Sequence, residues 1–146
     1  VNCRPRLTRN TLKGRPAMFT GLSAFPLTPT SESGIDEHAY AQLVSRLAAA
    51  GVDSIGALGS TGGYPYFSRQ QRARAARIAV QAAEGTPVMV GIGALRTSQV
   101  LALAEDAQEA GAAAVLLAAM TYHPLTDRAG SPATGNLRMS TARSGN

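Results

Sequence analysis

Gly51-Val52-Asp53-Ser54-Ile55-Gly56-Ala57-Leu58-Gly59-Ser60-Thr61-Gly62-Gly63 is the stretch on which the fold turns. A glycine, a short apolar run from Val52 to Leu58 and a glycine-rich loop with two hydroxyls follow one another without interruption. Upstream, Tyr40, Leu43, Val44, Leu47 and Ala48 recur at helical spacing, which predicts a helix over about Asp36–Ala50 with one apolar face. Gly51 then suits the left-handed cap that ends such a helix. The unit is therefore helix, glycine, short strand, glycine-containing loop.

The unit repeats downstream. Ser68-Arg69-Gln70-Gln71 has the form of a capping box, in which the serine accepts from the amide three residues on and the glutamine reaches back. Ala75, Ile78, Ala79, Ala82 and Ala83 form the apolar stripe of the helix it opens. Arg72, Arg74 and Arg77 read as its solvated side. Gly85 and Pro87 end the helix, and Val88–Ile92 is the next strand. A third helix is expected from Ser98 to Ala110, with Val100, Leu103, Ala104 and Ala107 on one face and Gly111 as its cap. Ala113–Ala119 follows as a nearly unbroken apolar strand, a pattern suited to a parallel strand covered on both faces. Met18–Phe25 supplies a first strand.

Strands alternating with helices imply right-handed parallel βαβ units. Both the doubly wound sheet and the (β/α)8 barrel share this grammar, and periodicity does not choose between them.

Composition narrows the function classes. The net charge of +5 sits entirely at the ends. Residues 1–17 carry Arg4, Arg6, Arg9, Lys13 and Arg15, and residues 128–146 carry Arg128, Arg138 and Arg143. Residues 18–127 hold six arginines against nine acids, a net of −3. A nucleic-acid binder would place its basic stripe on the folded domain, so none is expected here. Both ends lack a hydrophobic face and are expected to be disordered: a basic extension over 1–17, and a Ser-, Thr-, Gly- and Arg-rich tail over 128–146. No apolar run reaches 18 residues, so no membrane span is expected. One cysteine, Cys3, fits a reducing, cytoplasmic setting. With His38 and His123 as the only histidines it assembles no familiar zinc ligand set, and no metal or cofactor is expected.

In parallel α/β folds chemistry sits at the C-terminal ends of strands. Four loops qualify: Pro26–Ser33, Gly59–Phe67, Gly91–Thr97 and Met120–Asp127. Gly59–Gly63 offers two hydroxyls and several backbone amides, a cradle for a carboxylate or phosphate; read alone, it serves equally well as a turn without a ligand. It is not a P-loop, because no Gly-Lys-Ser/Thr follows. Gly91–Arg96 fails the dinucleotide fingerprint, since Arg96 stands where the third glycine belongs, and reads as a tight turn. Tyr122 and His123, taken singly, default to structural roles, as does His38 in the first turn of a surface helix.

As an ordered set these residues resemble the dihydrodipicolinate synthase / N-acetylneuraminate lyase family. Gly21-Leu22-Ser23-Ala24-Phe25-Pro26-Leu27-Thr28-Pro29 with Gly34-Ile35-Asp36 is similar to its first strand and loop. Gly51–Ile55 through Gly59-Ser60-Thr61-Gly62 resembles its signature loop. Ser68, Pro87–Gly93 and Ala110-Gly111-Ala112 match in order and spacing. The resemblance covers about Met18–Asp127 and implies a (β/α)8 TIM barrel, of which residues 18–127 would be the N-terminal half, about four strands.

It further implies a class I aldolase or lyase, of the 4-hydroxy-tetrahydrodipicolinate synthase or N-acetylneuraminate lyase type. In that chemistry a lysine forms a Schiff base with pyruvate, and the partner substrate is a small aldehyde or a keto-acid sugar. Ser60 and Thr61 would hold the pyruvate carboxylate, Ser60 would join a proton relay, and Tyr122 would enter a neighbouring subunit's site in a homo-oligomer, a dimer or tetramer. No cofactor is implied. Gly63 departs from the family's usual glutamate. The family's Tyr-x-Asn-Pro segment and its strand-borne lysine are absent, and Lys13 is the only lysine. The expectation is the truncated or frame-changed first half of such an enzyme, inactive alone; the alternative is a non-catalytic half-barrel that self-associates or complements a partner chain.

Overall fold

The structure is a computed structural model that describes residues 19–118. The expected N-terminal extension over 1–17 and tail over 128–146, together with Tyr122 and His123, lie outside the described residues. Within them run β1 (Ser23–Ala24), β2 (Thr30–Ser31), β3 (Gly34–Ile35), α1 (Glu37–Ala49), β4 (Ser54–Ala57), a 3-10 turn (Tyr64–Tyr66), α2 (Arg69–Ala82), β5 (Val88–Gly91), α3 (Thr97–Glu109) and β6 (Ala114–Leu116).

Local chemistry accounts for the helix ends. Asp36 caps α1, its carboxylate accepting from the Ala39 amide at 3.0 Å. Ser68 and Gln71 close the reciprocal box on α2: the Gln71 amide donates to Ser68 Oγ at 3.3 Å, and the Ser68 amide donates to Gln71 Oε1 at 2.9 Å. Gly51 and Gly111 follow α1 and α3 at φ 77° and 84°, the left-handed conformation that a C-terminal cap requires.

β1, β4, β5 and β6 form one parallel sheet in that order. The register pairs Ser23 with Ser54, Met89 with Gly56 and Val115 with Val90. α1 packs on α2 and α2 on α3, again in chain order. A doubly wound sheet reverses its strand order at a switch point. Among the described residues no reversal occurs, and this singly wound progression is the arrangement from which a barrel is built. The core lies between helices and sheet: Tyr40 and Val44 of α1, Ala75, Ala76, Ile78 and Ala79 of α2, and Leu103 and Ala107 of α3 meet Ile55, Ala57, Val88 and Val90. Alanines along α2 let it approach both neighbouring helices and the strands beneath.

Three expectations change. The strands are shorter than the apolar runs that announced them, because only the residues in register with a neighbour join the ladder. β6 is buried at Ala114 but half-buried at Val115 and Leu116, so cover on both faces holds for β4 and β5 and not for this edge of the described sheet. Finally, the segment read as a plain loop over 26–33 supplies the first strand and turn of a two-residue-turn hairpin, β2 antiparallel to β3, with Thr30 opposite Ile35. Its strands are two residues each, too short to show alternation in sequence.

Candidate active site

Chain geometry beyond β4 builds the site. Leu58, the first residue past the strand, is 1% exposed yet holds φ 54°. A buried, branched residue in the left-handed region costs about 1–3 kcal/mol and persists only where surroundings impose it. The constraint comes from β5. The Leu58 carbonyl oxygen presses so closely on Gly91 that a Cβ there would collide with it. Gly62 folds back over Leu58, with room for no more than a tight Cβ contact at 3.1 Å from Leu58 Cα. A hydrogen bond from the Gly63 amide to the Ser60 carbonyl at 3.2 Å closes the turn, and Gly63 takes φ 65° to lead into the 3-10 turn.

This turn leaves the Ser60 and Thr61 side chains exposed at the C-terminal end of β4, as the sequence led one to expect. Among the described residues, no acceptor takes the amides of Ser60, Thr61 or Gly62. Consecutive amides without a partner beside two hydroxyls are a grouping that can take an anion. Thr61, Gly63 and Tyr66 wall a cleft of about 520 Å³, closed opposite by Thr30 and Glu32 of the hairpin and by Gln71 of α2. Ser60 stands beside this cleft rather than in its wall. Among the described residues, then, the structure brings Ser60 and Thr61 together, and His38 stays exposed in the first turn of α1.

Behind the loop lies a residue whose sequence reading must be corrected. Arg72 is 6% exposed rather than solvated. Its guanidinium donates to the Gly93 carbonyl at 3.0 Å and to the Gly91 carbonyl at 2.9 Å, and its carbon sits 5.1 Å from the centroid of the Tyr64 ring. Burial pulls its pKa below the ordinary arginine value, partly offset by Tyr64. Nε has no partner among the described residues. The signal was present: Arg72 precedes Ala75, Ala76 and Ala79 by three, four and seven positions, which puts it on the buried stripe. Its charge argued for solvent, and the two carbonyls and the ring that repay its burial lie elsewhere in the chain. Arg74 does reach the surface and pairs with Glu37, while Arg69 pairs with Asp106 at 2.7 Å; both carboxyls are held below their usual range by these guanidinium hydrogen bonds.

A singly wound α/β sheet with an amide-lined glycine loop at a strand's C-terminal end defines a class, the (β/α)8-barrel proteins. The particular family follows from resemblance: residues 18–128 match the Dihydrodipicolinate synthetase family, and the chain belongs to it. It is 34% identical over 108 residues to 4-hydroxy-tetrahydrodipicolinate synthase of Salinibacter ruber, an alignment that covers 73% of this chain and 36% of that one. It is also 34% identical over 113 residues to the synthase of Agrobacterium fabrum, covering 76% and 38%. Among solved structures, dihydrodipicolinate synthase from Agrobacterium tumefaciens C58 superposes with a TM-score of 0.72 at 52% identity, over 76% of this chain and 38% of that one. YagE, a prophage protein of the same family from E. coli K12 solved in complex with pyruvate, gives 0.71 at 28% identity, over 77% and 38%. The chain thus spans a little over a third of the length of the relatives it matches, and its sheet is a part of their barrel.

Proposed function

We propose that this chain carries the keto-acid end of a Schiff-base aldolase site, with pyruvate as the keto acid and a small aldehyde or keto-acid sugar as the second substrate. The observation that supports this most is the Ser60–Gly62 run of free amides at the end of β4, in a chain of this family. The amides and the Thr61 hydroxyl hold the pyruvate carboxylate, and Ser60 passes protons. By the family resemblance, Tyr122 enters the corresponding site of a neighbouring subunit in a cytoplasmic homo-oligomer. The amine must come from a lysine that condenses with the keto carbonyl and releases water. Lys13 is the only lysine of these 146 residues and precedes β1. The 146 residues by themselves therefore bind and do not turn over.

The test is a titration of the 15N-labelled chain with pyruvate, and separately with acetone, which has the keto group and no carboxylate. Saturable shifts at the Ser60, Thr61 and Gly62 amides with pyruvate alone are expected. Equal response to both, or none, sinks the reading. Borohydride added with pyruvate should leave the mass unchanged; a stoichiometric adduct would show that the chain supplies its own amine. A second reading, a non-catalytic half-barrel that self-associates or complements a partner chain, draws on β1 and β6, each of which has an open side among the described residues. A monodisperse monomer in sedimentation at high concentration would count against it.

A further inference from the structure

We infer that Arg72 is a positioning residue: through Tyr64 on one side and the carbonyls of Gly91 and Gly93 on the other, it fixes the loop that presents the Ser60–Gly62 amides. The inference rests on the carboxylate-binding reading above for its purpose, and on geometry for its substance.

The geometry forms a closed circuit. The loop begins at Leu58, whose carbonyl is wedged against Gly91. It ends at Tyr64, which is buried, with its hydroxyl oxygen so near Gly93 that a Cβ there would lie 2.9 Å from it. Arg72 joins both ends, because its two terminal nitrogens take the carbonyls of the same two glycines while the guanidinium covers the Tyr64 ring. Both ends of the loop are therefore referenced to one stretch, Gly91–Gly93, and one cation holds that stretch and the ring together.

Packing alone does not explain the choice of residue. The rest of the α2 stripe is Ala75, Ala76, Ile78 and Ala79. An apolar side chain of similar volume would fill the position without the cost of removing a cation from water. Only a planar group with donors spread along a fork can take two carbonyls at once while lying flat on a ring, and that is the property that distinguishes arginine from lysine. Arg72, Tyr64 and Gly93 together line a cleft of about 590 Å³ against α3, so the three anchoring groups share one face behind the loop.

The experiment compares the full 146-residue chain with Arg72→Met and Arg72→Lys by amide hydrogen exchange and pyruvate titration. In Arg72→Met the amides of Gly63, Tyr66 and Phe67 should exchange about tenfold faster or more, as expected for loss of charge-assisted anchoring hydrogen bonds. The ladder amides of Ile55 and Ala113 should keep their rates. Pyruvate should bind about tenfold more weakly, and Arg72→Lys should recover only part of the loss. Unchanged loop exchange overturns the inference. So does an equal acceleration in loop and ladder, which would make Arg72 a contributor to global stability alone. If the unsubstituted chain shows no pyruvate response, the functional reading falls, while the exchange comparison still decides what Arg72 does. Should Arg72→Met fail to fold, Tyr64→Leu removes the ring and leaves the carbonyl bonds, and must accelerate the same three loop amides.

Discussion

Replacing Gly91 by alanine puts the contact between β5 and the loop after β4 to a quantitative test. The added Cβ would overlap the Leu58 carbonyl oxygen and lie 2.8 Å from the carbonyl carbon. Both groups are backbone, so no rotamer change can relieve the overlap. Leu58 is already held in the left-handed region, and Gly91 is locked in register opposite Leu116. Overpacking of this kind costs about 1–3 kcal/mol where side chains can adjust, and the upper end, ~3 kcal/mol, is expected where backbone must move. Gly111→Ala is the internal comparison. There φ is 84° and the nearest atom to a new Cβ is Val80 Cγ1 at 3.6 Å, so only the conformational cost of about 1–2 kcal/mol applies. Urea unfolding of the three chains, followed by circular dichroism at constant m-value, measures both differences. Gly91→Ala should be the more damaging by a margin of ~1 kcal/mol or more. If it is as mild as Gly111→Ala, the wedge between Leu58 and Gly91 does not hold the loop, and the account of the strained Leu58 fails with it.

Two further predictions concern the scaffold. Ser68→Ala removes the acceptor at the start of α2 and should cost ~1 kcal/mol in the same urea assay, with Gln71→Ala adding little afterwards because the two bonds form one reciprocal unit. Tyr40 is fully buried, and burial pushes its phenol from 10.0 up to about 12, despite a small opposing effect of the Thr28 hydroxyl. The two hydroxyls approach one another, yet neither reaches a hydrogen bond of good geometry among the described residues. Because the unfolded chain gives up this proton first, the Tyr40 contribution to stability should be level below pH 10 and fall between pH 10 and about 12, by on the order of 2–3 kcal/mol. Tyr40→Phe should abolish that alkaline decline while changing stability at pH 7 little, and an undiminished decline in that variant would assign it to other groups.

Sequence alone determined what depends on neighbours three or four residues apart. The apolar spacing of α1 and α3, the capping box at Ser68, and the glycines at 51 and 111 are all settled by hydrogen bonds and side-chain contacts within one turn. For that reason the three helices, the strands between them and the Gly59–Gly63 loop were legible before any coordinates. The ordered motifs were enough to point to the family. Tertiary structure alone decided three things. The strand order β1-β4-β5-β6 depends on which edges meet, and that pairing leaves no mark on periodicity. The hairpin of β2 and β3 is too short to carry a pattern. Arg72 turned inward because Gly91 and Gly93, 19 and 21 residues further along, offered carbonyls to a charge that its own helix could not satisfy. A buried cation is stable only where distant parts of the chain converge to solvate it, and no local rule can report that convergence.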